Sequence, residues 1–577
     1  MRFGFVRLKA WGASRGDEGC GSLAFMAKPW DINGDDIELW SQQHDASAEL
    51  PDLVRQLLLA TVPLSTLTTT THAGTRLPGW DMIVRASRES AFCPQGASGW
   101  ELSIEERRGK LDDDFKKRSA DPSPFDPKDT TYVAVSARRI SAKIRWAGEQ
   151  QAKRTWKDVR LLDADDLAAW LALAPTVARW FAGKLGRPSA DVEDLDTFLH
   201  TWRGRTPRPL PFKLALAGEK RLQQAETVRA WARQAGRRGR ALLVHAHTRD
   251  EALVFVAAAL ATDVSPEGHQ ICARTLVVHT EEALRGALGP ASGEPLIVLS
   301  NLSSTAPADR AHGALVVPLE GHLPSGSDDV LKVEPAPFMR FVEMLKKDGF
   351  SETEARRAQD SGGNLASLQR LFGHVALPRW VEGAPSVPLA TMLLVGSFQP
   401  GNQEDRDVLA LLGADPGEVE ALCEHLALAP DAPTIKEGRY GRAVWRWRAE
   451  EDVWKFLGGR IPADTLRRFA ETIRLVLGEQ DPSLELPPEE RLQAPFLEKI
   501  FRASDVLREG MSRALVRLAL SDETLATLHG PQCGSHLASY VLQDLLQPAW
   551  SNWASLSNLL PRRFRSVTRS ACIQGTT

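Results

Sequence analysis

The 577-residue sequence has little from which to build a disulfide framework or a zinc ribbon. Its six cysteines (Cys20, Cys93, Cys272, Cys423, Cys533 and Cys572) are widely spaced, and none forms a CxxC pair. That pattern predicts reduced, mostly buried thiols and a cytoplasmic protein. Long apolar runs are also missing. The longest, such as 253–261, fall far short of the roughly 20 residues that cross a bilayer, so no membrane partner is expected. Neither sign of charge dominates: 71 Lys and Arg stand against 74 Asp and Glu, for a net charge of −3. A generally basic nucleic-acid coat is thereby excluded, but a local basic face is not. Tyrosine is scarce, at 3 against 17 tryptophans, and no function follows from that imbalance.

What remains is an ordinary globular composition, 43% hydrophobic and 25% charged with a mean hydropathy of −0.25. At roughly 100–200 residues per domain, three or four units are expected. The ends read differently from the middle. Residues 1–35 open Gly- and Arg-rich without the apolar core of a signal peptide. They are expected to be a disordered or mis-called extension, with Met26 a natural start. Residues 561–577 carry no apolar period and read as an unstructured tail, either frayed or the scar of a truncation in a longer protein.

Residues 36–186 form the first patterned unit. A helix is predicted across 50–60, strands at 64–71, 81–86 and 98–102, a polar helix at 105–118, buried strands at 131–136 and 159–162, and an amphipathic helix over 163–184. The order is that of a small α/β core. Asp81 and Glu101 are 20 residues apart, a spacing that a β-hairpin folds back into one site. Mg²⁺ prefers hard oxygen ligands, and phosphodiester hydrolysis needs such carboxylates beside a lysine that offsets phosphorane charge. Spacing alone fits ordinary strand-end carboxylates equally well. Between Ser136 and Arg160 eight cations (Arg138, Arg139, Lys143, Arg145, Lys153, Arg154, Lys157, Arg160) face only Glu149 and Asp158. Interleaved with Trp146 and Trp156, they suit a nucleic-acid backbone or a solvated helix face.

The runs LPDLVRQLLLAT, AGTRLPGWD, CPQGASGWELS, DDFKKR, YVAVSARRISAKIRW and WKDVRLLDADDLAAWLALAPTVARWF resemble the N-terminal domain of large bacterial anti-phage defence proteins. These join a restriction-endonuclease-like, PD-(D/E)xK-type domain to a STAND or AAA-type module. The resemblance covers most of 36–186 and implies that Asp81 and Glu101 are the two acidic, Mg²⁺-holding positions. DNA is the partner it implies, gripped by Arg138, Arg139, Lys143, Arg145, Lys153 and Arg154. The sequence departs from the motif after Glu101: Leu102 and Ser103 follow, and the lysine two residues on is absent. Lys110, Lys116 or Lys117 on the next helix would have to supply the ammonium.

Residues 187–208 read as a linker and 209–374 as a second α/β unit with a parallel sheet, ending in a helical lid that contains Ser361-Gly362-Gly363-Asn364. The layout resembles a STAND or AAA-type nucleotide-binding module. A working module needs a Gly-rich loop ending in Lys-Ser/Thr after its first strand. Here that place reads His245-Ala246-His247-Thr248-Arg249-Asp250-Glu251, and the strand 296–301 lacks its acidic pair. A degenerate site around Thr248 is therefore expected, without ATP as cofactor. His245 and His247 lack a third metal ligand nearby. Arg370, where such lids carry a phosphate-sensing arginine, reads as a solvent-exposed helix residue.

Residues 375–560 are predicted mostly helical, with Ala443–Trp447 as a strand where a winged-helix insert fits. The Trp-rich ribbon there reads as core. The fold class expected is thus multidomain α/β: a restriction-endonuclease-like domain, a degenerate P-loop-like domain and a helical region. The leading functional expectation is a metal-dependent DNA nuclease effector of an antiviral system. Its rivals are a non-catalytic DNA-binding or regulatory scaffold and an inactive fragment. A homo-oligomer and the identity of any trigger are left open.

Overall fold

The computed structural model describes residues 30–69, 79–105, 108–238, 241–288, 296–302, 314–321, 323, 329–381, 386–439 and 441–559. The expected extension, apart from 30–35, and the tail 561–577 lie outside the described residues, as does the stretch 70–78 leading to Asp81.

Five strands build the first sheet in chain order: β1 (Leu64–Thr69), β2 (Met82–Ala86), β3 (Gly96–Ser103), β4 (Thr131–Ser136) and β5 (Asp158–Leu162). β2 runs antiparallel to β1 and β3, whereas β3, β4 and β5 are parallel. Parallel neighbours need crossovers, supplied by the helices Arg108–Ala120 and Lys143–Ala152. All six residues of β4 are buried, as a central parallel strand requires. Gly99 is a packing glycine: a Cβ there would meet Trp80 at 2.7 Å and Phe125 at 2.8 Å. The amphipathic run 163–184 is two helices and not the single one its apolar stripe predicts, Ala164–Leu171 and Pro175–Lys184. Pro175 brings no N–H to the ladder and forces Ala174 out of helical geometry, to φ −130° and ψ 72°.

The second sheet has the order β11-β7-β10-β9-β8-β6, from β6 (Val192–Asp194), β7 (Leu242–His245), β8 (Thr275–Val278), β9 (Ile297–Ser300), β10 (Ala314–Leu319) and β11 (Val330–Lys332). β7 to β11 pair in parallel, as their near-continuous apolar runs predict, and β6 closes one edge antiparallel. Residues 187–208, read as a linker, therefore hold β6 and the helix Leu195–Arg203. Strand alternation divides the sheet's side chains between two cores. Val277, Leu299 and Val316 pack with the helix Arg249–Ala261, in which every residue from 252 to 260 is buried. Leu276, Val278, Val298, Leu315 and Val317 share the other core with Leu53, Leu57 and Phe181 of the first unit. The two α/β units are welded through common apolar surface.

A lid of short helices follows, Phe338–Lys347, Glu352–Arg356 and Leu365–Leu371. Gly362 and Gly363 between them adopt φ of +59° and +78°, and a Cβ on either would meet the Arg448 or Ala336 carbonyl at 2.3 Å. This close approach, together with the left-handed backbone, accounts for the paired glycines. The helix Val387–Val395, β12 (Ser397–Phe398), the helices Gln403–Leu411 and Pro416–Ala427, and the hairpin β13 (Thr434–Arg439) and β14 (Arg442–Trp447) come next, with sheet order β12-β14-β13. Helices then continue to Trp550–Ser555. Trp445 and Trp447 are core residues, as read from the sequence. The apolar run 494–501, expected to be helical, is instead a 3₁₀ turn over Arg491–Leu497. Pro495 sits inside it and leaves Phe496 89% exposed.

Arg370 corrects the reading of an exposed helix residue: it is 4% exposed. Its guanidinium makes hydrogen bonds of 2.6–3.0 Å to Asp452 and lies 2.7 Å from Asp431. Asn364 donates to Asp431 at 2.6 Å and Ser367 to Asp452 at 2.9 Å, so the lid is bolted to the unit after it. Arg370→Met leaves two buried carboxylates without their counter-charge and is expected to cost about 3–5 kcal/mol. Urea unfolding followed through tryptophan fluorescence would show an earlier midpoint; an unchanged midpoint would contradict the bolt.

Candidate active site

The β2–β3 ladder pairs Met82 with Trp100. Continuing this antiparallel register by one residue sets Asp81 across from Glu101, on one face of the sheet. Asp81 is tied to the residue after Glu101: the Leu102 N–H donates to Asp81 Oδ2 at 2.7 Å. Glu101, on a strand flanked on both sides, is 9% exposed.

The helix Arg108–Ala120 lies across this face. Residues four apart share a helix side, and Lys110, Asp114 and Arg118 make such a row. Lys110 Nζ donates to Asp114 Oδ1 at 2.8 Å. Arg118 bonds both Glu101 and the Gly79 carbonyl, and its guanidinium lies 5.1 Å from the Trp80 ring centre. The helix is oriented from beneath. Phe115 packs edge-on against Tyr132 and Trp146, and the Trp146 indole donates to Asp112 at 2.8 Å. The Tyr132 hydroxyl is fully buried and finds no partner among the described residues.

Burial pushes the Asp81 carboxyl up, against the lowering influence of the Leu102 N–H and Arg118. Burial and then the Asp81 charge push Glu101 up to about 7, more than Arg118 offsets. The Asp114 hydrogen bond raises Lys110, whose charge also feels Glu101. Burial, followed by the charges of Glu101 and Asp114, holds the Tyr132 phenol well above its usual range.

Of the candidate lysines, Lys110 is the one in the row that faces the carboxylates, while Lys116 and Lys117 are solvent-exposed. Ser103, where the motif places a lysine, is buried and accepts the Glu105 N–H at 3.1 Å. Asp114, Arg118 and Tyr132 were not singled out from the sequence, although the four-residue spacing of Lys110, Asp114 and Arg118 was a usable signal. Asp81 and Glu101 fit a divalent ion as a two-carboxylate oxygen set, the kind that Mg²⁺ completes with water and phosphate. Arg118 is the feature that opposes a metal there. Among the described residues no group of three or more His, Cys, Asp or Glu is placed to hold one.

The basic segment is largely committed to internal partners. Arg139 pairs with Asp35, Glu38 and Asp165, Lys143 with Asp163 and Asp166, and Arg145 with Glu149. Arg138 donates to the Ile104 carbonyl at 3.3 Å, and Lys153 to Gln150 at 2.6 Å. Arg154 occupies a turn at φ 54°, its carbonyl accepting from Lys128. Trp146 and Trp156, read as interleaved with these cations, are 0% and 2% exposed and belong to the core.

At the degenerate loop, Thr248 caps the helix Arg249–Ala261 by accepting the Glu251 N–H at 3.0 Å. The Glu320 carboxylate sits at the same helix terminus, accepting from Arg249 N at 3.1 Å and Arg249 Nε at 3.0 Å. Glu251 is fully buried against Arg221 (2.5 Å) and His247 (3.2 Å). Burial alone would raise its carboxyl, yet these two partners hold it at about 2. His247 also contacts Arg448 at 2.7 Å, and His245 contacts the Gly321 carbonyl at 2.7 Å, so both histidines are bound into the protein.

The sequence matches no family model and no curated protein. The chain is a multidomain protein of mixed α/β architecture. No helix among the described residues is long and apolar enough to cross a membrane.

Glu101 predicts a pH dependence. A carboxyl raised from 4.5 to about 7 on folding contributes stability that is fully present below pH 4.5 and lost as pH rises through 7. The stability of the wild type is expected to fall over that window by roughly 3 kcal/mol, and its thermal midpoint with it. Glu101→Gln should flatten the fall; identical pH profiles would contradict the raised carboxyl.

Proposed function

We propose that the chain is a metal-dependent DNA nuclease whose carboxylates are Asp81 and Glu101. The observation that carries the reading is their placement opposite one another across the β2–β3 ladder, under a helix that presents Lys110. A divalent ion bound there would polarise a phosphoryl oxygen and lower the pKa of a bound water. Asp81 and Glu101 would hold it, Lys110 would add positive charge beside the phosphate, and the aromatic floor of Trp80, Phe115 and Tyr132 would keep the carboxylates in place. The strand order of the first sheet, with only β2 reversed, supports a restriction-endonuclease-like domain.

The parallel run β11-β7-β10-β9-β8 supports an NTPase-like second module. Glu320 at the terminus where a phosphate would bind favours a module that does not hydrolyse ATP. The order helix, β12, two helices, then the hairpin β13–β14 supports a winged-helix unit after the lid. The role in antiviral defence, and a cytoplasmic location, rest on the resemblance and the thiol pattern alone.

A second reading, a non-catalytic regulatory or DNA-binding protein, is favoured by one contact: Arg118 already occupies the Glu101 carboxyl as a hydrogen-bond partner. Incubation of plasmid and linear DNA with the protein in Mg²⁺ or Mn²⁺ separates the two. The nuclease reading expects cleavage that EDTA and either Asp81→Ala or Glu101→Ala abolish, and that Lys110→Ala lowers by about 10²–10³-fold. Folded wild type that binds DNA in a salt-sensitive manner without cutting it would establish the second reading. A protein that neither cuts nor binds DNA would contradict both readings.

A further inference from the structure

A cleft of about 720 Å³ opens between the lid and the helices that follow it, within the size range of small-molecule sites. Its walls come from separate stretches of chain: the approach to the second sheet at 207–208, the lid at 350–357 and 370–373, the helix Glu450–Leu457, and the end of the helix Asp505–Leu520. No residue of the 245–251 loop lines it.

Its cations differ in how far they are committed. Arg370 is consumed by Asp431 and Asp452. Arg208 stacks 3.7 Å from the Phe350 ring centre, donates to the Gly349 carbonyl at 2.8 Å and pairs with Glu354. Arg357, Lys455 and Arg517 remain. Arg357 and Arg517 approach one carboxylate, Glu451, at only 3.9 and 3.5 Å, and Arg517 reaches Asp360 at 3.6 Å. These separations are well beyond the roughly 2.7–2.9 Å of a direct charge-assisted hydrogen bond. Lys455 lies one turn after Glu451 on the same helix side and donates to the Arg370 carbonyl at 3.1 Å. Arg357 and Arg517 thus share Glu451, with Asp360 near Arg517 and Glu354 taken by Arg208. Lys455 adds a third cation to the wall, with no carboxylate partner at charge-assisted distance among the described residues. The rest of the wall is aromatic: Phe350 and Phe372 meet edge-to-face at 5.6 Å. Beside them the buried Trp454 indole N–H has no acceptor among the described residues.

We infer that this cleft binds a phosphorylated small molecule, its phosphates taken by Arg357, Lys455 and Arg517 and its organic body lying against Phe350 and Phe372. Guanidinium and ammonium groups converging on one point suit phosphate oxygens, and aromatic faces suit a planar ring. The site is remote in sequence from Asp81 and Glu101 and independent of the nuclease reading. Its walls join the lid to the helical unit, so an occupant would bridge the same two parts that Arg370 bolts together.

Calorimetric titration of the full chain with ADP, inorganic pyrophosphate and adenosine tests the inference. ADP is expected to bind, pyrophosphate to bind more weakly, and adenosine to give no signal. Arg357→Glu and Lys455→Glu, both at exposed positions, should each weaken ADP by about tenfold or more with the circular dichroism spectrum unchanged. Pyrophosphate binding as tightly as ADP would uphold phosphate recognition with an inorganic anion as its source. Absence of binding by both ADP and pyrophosphate, or ADP binding unaltered in both folded variants, would overturn it.

Discussion

Removing a charge from water costs several kcal/mol unless a counter-charge is buried beside it, and this chain places such pairs at the contacts that give it its form. Arg370 with Asp431 and Asp452 ties the lid to the helical unit. Glu251 with Arg221 and His247 fixes the start of the buried helix Arg249–Ala261, and Arg448 extends that contact to the β13–β14 hairpin. Arg118 with Glu101 holds the helix Arg108–Ala120 on the first sheet. Each pair is costly to break because the partner left behind stays buried. The apolar core shared by the two α/β units adds a non-directional bond between them, whereas the charge pairs fix register and orientation.

The same constraint shapes what the two candidate centres can do. At the degenerate loop the Arg249 and Glu251 N–H groups already have protein acceptors, with the Glu320 carboxylate at the helix terminus and Arg221 on Glu251. A second anion there would displace bonds that the fold relies on. At the first sheet the balance is less one-sided. Glu101 has a guanidinium beside it and still resists ionisation, because burial and Asp81 together outweigh Arg118. A divalent cation brings more positive charge to that point than one arginine. On the proposed reading, Arg118 is the resting counter-ion and the metal its replacement.

The strands were largely legible in the sequence, since runs such as Thr131–Ser136 and Ala314–Leu319 are apolar and β-branched for physical reasons that local pattern captures. Their order in the sheets was not, because register and crossover depend on partners far along the chain. The pairing of Asp81 with Glu101 was within reach of a hairpin argument; the row Lys110, Asp114 and Arg118 could have been found from helical spacing alone. Arg370 was misread because Asp452, its partner, lies 82 residues later. The flanking leucines gave no sign that the opposite side of that short helix is covered too. Trp146 and Trp156 were misplaced for a related reason: cations nearby in sequence suggested a surface, while the tryptophans pack inward beneath β4 and the cations turn to carboxylates elsewhere.

The most direct test of the account is Mn²⁺ binding, measured by calorimetry and electron paramagnetic resonance on the wild type, Asp81→Asn, Glu101→Gln and Arg118→Met near pH 8. The account predicts one site in the wild type, lost in both carboxylate variants and tighter in Arg118→Met, where the competing guanidinium is gone. A folded Arg118→Met protein that binds no Mn²⁺, or binding that survives both carboxylate substitutions, would contradict it.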